Sequence, residues 1–239
     1  MRKRIIYFFL TLIIFVFLII FSQKRNSKNK TLKINIDFKH ENGRFLDSQT
    51  VNKLLIQRKE ASFLLKEDTL DLRLVEDLLK SNPMVASADI FRTPQGILKV
   101  KIEERKPIVR IINDNEEFYI DNFGFKVPIS KKYSAKVPIF YGQADKNLED
   151  LVNFIKLIQI DSFAKVEIID LKNLKNNYVL GLRSFPFKII WGKNTKNKQK
   201  IKKLKFLYSY LVNKDFLEIE KVNLSFDKQI VLDYGHNRK

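Results

Sequence analysis

The chain has 239 residues, of which 45% are hydrophobic and 20 are phenylalanine, a composition that supports packed cores rather than disorder. Lysine and arginine outnumber aspartate and glutamate by 45 to 27, which gives a formal net charge of +18. There is no cysteine. The composition therefore excludes disulfides, thiolate metal sites and a cysteine nucleophile.

The N-terminus predicts a membrane anchor. Arg2, Lys3 and Arg4 precede an uninterrupted apolar run over residues 5–21. As a helix this run is about 25 Å long, close to the shortest length that crosses a hydrocarbon core of roughly 30 Å. We predict a short cytoplasmic tail at 1–4, a transmembrane helix at 5–21 and a linker at 22–31.

Two other interpretations of this run are open. A cleaved secretory signal has a shorter apolar core and a small-x-small cleavage site, which residues 20–22 match poorly. A buried core helix would show a polar face, and this run has none. Basic residues on both sides leave the orientation undecided by charge, but a short leading tail before a long domain favours a cytoplasmic N-terminus.

The sequence after the linker predicts a small α+β domain. Apolar and polar residues alternate from 32 to 39, as in a half-buried strand. Asp47 or Ser48 caps a predicted helix, and Asp71 caps a second helix that ends before Pro83. A hairpin follows, so the predicted order is β-α-α-β-β.

The rest of the chain is β-rich. Two predicted strands flank a turn at 113–116, and an amphipathic helix begins near Leu148. Strands are predicted around 166–171, 178–183 and 187–191. Two short strands close the chain after a lysine-rich helix.

The lysine-rich helix carries much of the excess positive charge. Its apolar residues form one stripe, so we predict its lysines on a solvated face, either near anionic lipid head groups or as part of a general lysine bias. Nucleic-acid binding is the alternative and predicts a steep salt dependence of affinity. No Arg-Gly aromatic motif, zinc-finger spacing or recognition-helix pattern accompanies the lysines. They are Lys193, Lys196, Lys198, Lys200, Lys202, Lys203 and Lys205.

Several short motifs, in this order, resemble those of the FtsQ/DivIB family of bacterial cell-division proteins. Residues 78–85 (LLKSNPMV) resemble a helix end of a POTRA domain, and residues 104–107 (ERKP) resemble the Glu-Arg-x-Pro that closes it. In the second half, YIDNFG at 119–124 and VPIFYG at 137–142 resemble two family segments. VNLSF at 222–226 resembles the terminal Val-Asp-Leu-Arg-Tyr strand, with Asn223 where Asp is usual.

The resemblance implies an α+β protein with three parts. These are the N-terminal transmembrane helix, a POTRA domain at 32–107, and a mixed antiparallel β-domain with flanking helices at 108–239. It implies a non-enzymatic divisome scaffold of the inner (plasma) membrane at the division septum, with a periplasmic ectodomain. The implied partners are FtsB-like and FtsL-like single-pass division proteins, with other divisome members bound through the POTRA domain.

A different POTRA-bearing protein, such as an envelope transport or assembly component, is the alternative. An assembly component predicts a β-barrel after the POTRA domain. The sequence shows no series of alternating strands long enough to close one.

The end of the chain is the predicted partner-binding site. A chain that ends in a strand often leaves that strand at a sheet edge, where unpaired backbone groups can bind an added strand. We expect a Val231→Pro substitution to remove an edge donor. The resemblance places Phe226 and Tyr234 on family aromatics, although core or tail positions are the alternative for both. The predicted binding residues are Phe226, Gln229, Ile230, Val231, Leu232 and Tyr234.

No catalytic, cofactor or metal site is predicted. His40 and His236 have no ligand partner at i+3 or i+4. The seven glycines occur singly, so no phosphate-binding loop is expected. The acidic doublets at 103–104 and 116–117 have the pattern of solvated carboxylates.

Overall fold

The structure is a computed structural model that describes residues 12–18, 20–21, 33–39, 45–57, 71–144, 148–214 and 216–235. The chain divides into two compact units, Met1–Glu104 and Arg105–Lys239. The division falls inside the ERKP motif, so its first two residues belong to different units.

The predicted transmembrane segment lies only partly within the described residues. Residues 12–18 and 20–21 are helical, and their apolar side chains are exposed. Across the part of the chain that the structure describes, no helix combines the length and the apolar character that a membrane crossing needs. The predicted tail at 1–4 and linker at 22–31 lie outside the described residues.

The first unit has the predicted β-α-α-β-β order. Its elements are β1 (Ile34–Phe38), α1 (Ser48–Gln57), α2 (Leu72–Lys80), β2 (Val85–Arg92) and β3 (Leu98–Glu104). The three strands lie in the order β1-β3-β2, with β1 parallel and β2 antiparallel to β3. Its core joins apolar side chains of both helices to the inner face of this sheet.

Short polar side chains start both helices of the first unit. The Asp47 carboxylate accepts a hydrogen bond from the Thr50 N–H at 2.9 Å, so Asp47 rather than Ser48 provides the cap of α1. Asp71 accepts from the N–H groups of Arg73 and Leu74 and caps α2, as predicted. Each cap satisfies main-chain donors that a helix leaves unpaired in its first turn.

The second unit contains a mixed nine-stranded sheet in the described part of the chain, in the order β12-β11-β10-β9-β8-β7-β4-β5-β6. Its parallel pairs are β4 with β7, β7 with β8, and β10 with β11. The elements in chain order are β4 (Pro107–Ile112), β5 (Glu117–Asp121), β6 (Lys126–Pro128), β7 (Ile139–Tyr141), α3 (Leu148–Ile160), α4 (Ser162–Glu167), β8 (Ile168–Leu174), β9 (Asn177–Leu182), β10 (Lys188–Gly192), α5 (Asn197–Leu211), β11 (Ile219–Asn223) and β12 (Val231–Tyr234).

The helices of the second unit lie in crossovers between parallel strands. Helices α3 and α4 connect β7 to β8, and α5 connects β10 to β11. Parallel neighbours need such long connections, whereas antiparallel neighbours can be joined by a short turn. Apolar residues of α3 and α5 share one core with the sheet around Trp191, which is fully buried.

The prediction of a strand beginning near Val166 is wrong at its start. Val166 and Glu167 form the last residues of α4, and β8 begins at Ile168. Asp161 caps this short helix by accepting hydrogen bonds from the N–H groups of Phe163 and Ala164. The hydrogen bonds to the capping side chain stabilise this helical turn, although the β-branched residues that follow favour a strand.

The prediction that the lysines of α5 share a solvated face is wrong for Lys200. Its side chain is buried, and its Nζ donates to the main-chain oxygen of Lys193 at 2.7 Å. Lys200 lies one helical turn before Leu204, so the helical period places it in line with the apolar stripe. Burial lowers the pKa of Lys200 below its ordinary value.

Candidate functional site at the open sheet edge

The larger sheet ends in β12 on one side and in β6 on the other. Among the described residues, each of these strands pairs with one neighbour, β12 with β11 and β6 with β5. Strand edges present main-chain N–H and C=O groups that another chain can pair with. The two edges of this sheet differ in how well they could do so.

Main-chain bonds next to β12 show which of its groups face the open edge. The N–H of Gly235 donates to the oxygen of Glu218, on the β11 side, at 2.9 Å. Backbone groups alternate in direction along an antiparallel strand. Val231 and Asp233 therefore direct their N–H and C=O groups to β11, and Leu232 and Tyr234 direct theirs outward.

The opposite edge is protected. The N–H of Asp121 donates to the oxygen of Phe125 at 3.0 Å, so the same alternation turns Lys126 and Pro128 outward. Proline has no N–H to donate, and lysine and proline on an edge are common means of preventing strand addition. β6 is also only three residues long. β12 is therefore the better edge for an added strand.

Side chains at 230–232 alternate between the core and solvent. Ile230 and Leu232 are half-buried against the core of the second unit. Val231 and Tyr234 are exposed, at 37% and 53% of their full area. Because strand side chains have a period of two, Tyr234 lies on the same face of β12 as Leu232. That face combines an anchored apolar residue with an exposed aromatic ring.

Three predicted site residues lie before β12. The predicted edge segment, which runs from Gln229 to Tyr234, is therefore too long at its start. β11 ends at Asn223, which places the exposed side chain of Phe226 in the loop rather than at a strand end. Gln229 and Ile230 also precede β12, which begins at Val231. The carboxamide oxygen of Asn223 accepts from Ser225 N–H at 2.9 Å and from its hydroxyl at 2.6 Å. These bonds turn the chain out of β11.

The expectation for Val231→Pro is also wrong in its mechanism. The N–H of Val231 points toward Asn223 of β11, with which Val231 is in register. Proline there would remove a bond inside the sheet rather than a donor at its edge. The outward donors of β12 belong to Leu232 and Tyr234.

Two lysines of the α5 region hold the loop that leads to β12. The Nζ of Lys203 donates to the main-chain oxygens of Phe226 and Gln229. Lys196 pairs with Asp227, and this contact holds the pKa of the Asp227 carboxyl below its ordinary value. Sequence reasoning missed Lys203, because no local pattern connects residues separated by 23 and 26 positions.

The two motif residues at the unit boundary have separate structural roles. Glu104 accepts from the N–H groups of Phe45 and Leu46 in the first unit. Arg105 donates to the buried Asp121 carboxylate at 2.8 Å in the second unit, and its guanidinium lies 4.2 Å from the centre of the Phe125 ring. These contacts explain why both positions carry a charged side chain, and neither explanation requires a bound ligand.

No group of three or more His, Cys, Asp or Glu side chains in the described ranges is arranged to hold a metal ion. His40 and His236, weighed above as possible ligands, lie outside those ranges. The acidic residues of the doublets make surface or backbone contacts: Glu103 pairs with Lys39, Glu116 with Lys126, and Glu117 with Arg110.

A β-α-α-β-β unit followed by a mixed sheet with an open terminal strand is an α+β architecture suited to binding another polypeptide. A family model described as a POTRA-like domain matches residues 28–103. A second model, described as FtsQ/DivIB, C-terminal related, matches residues 106–232, more than half of the chain. The chain belongs to the FtsQ/DivIB family.

A curated relative agrees with this membership. The chain is similar to the cell division protein FtsQ of Rhodothermus marinus, with 32% identity over 75 residues. The similar region covers 30% of this chain and 28% of that protein. The chain thus matches less than a third of the length of this relative. Membership of the family points to a role in cell division.

Proposed function

We propose that the protein is a membrane-anchored scaffold of the bacterial division machinery. Residues 5–21 would anchor it in the inner membrane, with residues 1–4 in the cytoplasm and a linker at 22–31. A POTRA domain at 32–107 and a β-domain at 108–239 would then lie in the periplasm at the septum. Family membership and the order of the two units support this organisation.

The β-domain would act by accepting a strand from a single-pass partner. The partner is of the FtsB type, which assembles with an FtsL-type protein, and other divisome members would bind the POTRA domain. The observation that carries the proposal is the contrast between the two sheet edges. β12 turns the main-chain groups of Leu232 and Tyr234 outward, whereas Pro128 and Lys126 protect the edge at β6.

An added strand would gain side-chain contacts as well as backbone bonds. Its residues would lie beside Tyr234, whose ring is about half exposed, and next to the anchored Leu232. The loop bonds from Lys203 hold the approach to this strand in place. An edge that is already ordered loses less conformational entropy when a partner strand pairs with it.

A Leu232→Pro substitution tests the edge. It removes one of the two outward N–H groups of β12 but leaves the pairing of Val231 and Asp233 with β11. The affinity is measured by titration calorimetry, in which the extracytoplasmic segment of an FtsB-like protein is added to the full chain. We expect Leu232→Pro to weaken binding by at least about tenfold, since a lost edge bond and a displaced strand together cost more than about 1.4 kcal/mol.

Two controls separate edge pairing from other effects. Leu232→Ala removes the same apolar side chain but keeps the N–H, so it should weaken binding much less than Leu232→Pro. Lys126→Pro places the same residue on the opposite edge and should leave affinity unchanged. Equal affinities for Leu232→Pro and the unsubstituted chain, with the fold intact by circular dichroism, would rule out β12 as the binding edge.

The cellular role has its own test. The fluorescently tagged full chain should form a ring at midcell in dividing cells. Uniform staining of the envelope would contradict the division role and would favour a POTRA-bearing transport or assembly component instead.

A further inference from the structure

The outward side of α5 carries a row of side chains spaced one helical turn apart. Lys198, Lys202, Phe206 and Tyr210 occupy the row, and Lys214 follows just after the helix ends. All are exposed, whereas the opposite side of α5 packs into the core. We call these residues the α5 row. It spans about 18 Å from Lys198 to Tyr210 at 1.5 Å per residue.

The aromatic residues of the α5 row do not belong to the core of the second unit, although the Nζ of Lys214 lies 3.7 Å from the centre of the Tyr210 ring. Phe206 and Tyr210 are 64% and 48% exposed, and their rings stack at 6.4 Å with an interplanar angle of 16°. Phenylalanine and tyrosine are poorer helix formers than leucine or lysine, so they do not strengthen α5 at these positions. Exposed aromatics on a rigid helix are typical of binding surfaces.

The lysines beside these rings differ in their contacts. The cations that flank the row are paired within the chain, Lys196 with Asp227 and Lys205 with Asp161. Lys198 and Lys202 are exposed and form none of the ion pairs found among the residues that the structure describes. Within the described ranges, the α5 row therefore presents two cations without an ion-pair partner, one turn apart, followed by two stacked aromatic rings and by Lys214 over the second ring.

We propose that the α5 row binds an acidic amphipathic helix of a partner protein. The partner helix would place two carboxylates one turn apart against Lys198 and Lys202. Its apolar side chains would then cover Phe206 and Tyr210. A row with i, i+4 spacing forms a ridge that fits the groove of a second helix.

Charge complementarity selects this occupant over an anionic lipid surface. A membrane attracts a broad field of cations, each worth about 1 kcal/mol near the surface. Among the described residues, Lys196 and Lys205 are paired with Asp227 and Asp161, whereas Lys203 donates to main-chain oxygens of the loop before β12. Of the exposed lysines within α5, Lys198 and Lys202 are therefore the two without such a contact to a described residue, and they lie on one helical line. A single acidic helix matches a line of this length. The contact is separate from strand addition at β12 and does not depend on it.

The test uses the full chain and a synthetic helical peptide as the probe. The peptide carries Glu at two positions one turn apart and Leu at the next two positions of the same row, with a fluorescent label for anisotropy. A charge-reversed peptide replaces each Glu with Lys. We expect the acidic peptide to bind, and the Lys198→Glu/Lys202→Glu variant to weaken its binding by at least about tenfold.

A matched variant controls for net charge. Lys131→Glu/Lys136→Glu changes the charge by the same amount at exposed positions of the same unit, away from α5. It should change affinity less than about twofold. The charge-reversed peptide should bind the Lys198→Glu/Lys202→Glu variant better than it binds the unsubstituted chain. Phe206→Ser should weaken acidic-peptide binding to a similar extent as the lysine variant.

Three results would overturn the proposal. One is equal binding of the acidic and charge-reversed peptides to the unsubstituted chain. Another is a loss of acidic-peptide affinity in the Lys131→Glu/Lys136→Glu variant that is as large as the loss in the Lys198→Glu/Lys202→Glu variant. The last is loss of binding to vesicles containing anionic phosphatidylglycerol in the Lys198→Glu/Lys202→Glu variant, with peptide binding unchanged, which would identify a membrane surface instead. Leu232→Pro should leave peptide binding intact, so failure at β12 and failure at α5 are distinguishable.

Discussion

Removing the ion pair between Arg105 and Asp121 tests how much a buried contact contributes to the stability of the second unit. The Asp121 side chain is 1% exposed and that of Arg105 is 15% exposed. One carboxylate oxygen accepts from the guanidinium at 2.8 Å, and the other accepts from the N–H groups of Phe123 and Phe125. An Arg105→Met substitution keeps much of the apolar stem but leaves a buried carboxylate without its cation.

The expected cost follows from these contacts. Removing one partner of a buried ion pair costs about 3–5 kcal/mol. The two main-chain N–H donors still stabilise the charge of Asp121, which places the estimate near the lower limit of that range. Loss of the contact between the guanidinium and the Phe125 ring adds about 0.5 kcal/mol, because that ring is more than half exposed. We expect Arg105→Met to lower the free energy of unfolding by about 3 kcal/mol.

Urea unfolding followed by tryptophan fluorescence measures this cost. Trp191 is the single tryptophan of the chain and is fully buried in the second unit, so its emission reports the unfolding of that unit. Asp121→Asn completes a double-mutant cycle, in which the double variant should be less destabilised than the sum of the two single variants by about 2 kcal/mol.

A surface pair provides the comparison. Arg110→Met removes the partner of Glu117 in a more exposed ion pair and should cost about 0.5 kcal/mol. The reasoning fails if Arg105→Met costs no more than Arg110→Met, or if the effects of the Arg105 and Asp121 substitutions add without coupling.

Three further predictions concern a main-chain acceptor, a turn and a helix cap. Glu104→Ala removes the acceptor of two main-chain donors, including the N–H of buried Leu46 at 2.6 Å, and should destabilise the first unit by about 2–3 kcal/mol, measured as faster amide hydrogen exchange there. Gly192→Ala places a Cβ 2.8 Å from the Cβ of Ser225 at a φ of +75°, and should cost about 1–3 kcal/mol in urea unfolding of the second unit. Asp161→Asn keeps a capping oxygen but loses the ion pair that, with the main-chain bonds, holds the pKa of Asp161 below its ordinary value. Because the folded-state pKa is depressed, the stability from this charge is present above about pH 4 and is lost as the pH falls through the folded-state pKa, so a difference of about 0.5 kcal/mol at pH 7 should shrink at low pH.

Each of these predictions has a matched check. Glu104→Gln keeps an acceptor oxygen and should cost less than Glu104→Ala, so equal costs would contradict the hydrogen-bond account. Adding Ser225→Gly to Gly192→Ala should recover part of the loss, and no recovery would show that the contact is unimportant. A stability difference between Asp161→Asn and the unsubstituted chain that stays constant down to pH 3 would contradict the assigned role of the charge.

Local patterns in the sequence were sufficient for most secondary structure. Alternation with a period of two predicted β1 and β3, and the capping role of Asp71 predicted the start of α2. These features depend on neighbours within a few residues, so the sequence contains the information directly. The six-residue helix α4 was missed because it is too short for a helical period to appear.

The tertiary structure alone decided which elements meet. It placed β12 at the end of the sheet and turned Leu232 rather than Val231 toward the open edge. It also buried Lys200 and joined Arg105 to Asp121. Strand order and the direction of each N–H are set by contacts between residues that are far apart along the chain. Sequence alone therefore determined most of the elements and the family resemblance, whereas the candidate binding edge and the exposed row on α5 arose only from the way those elements pack.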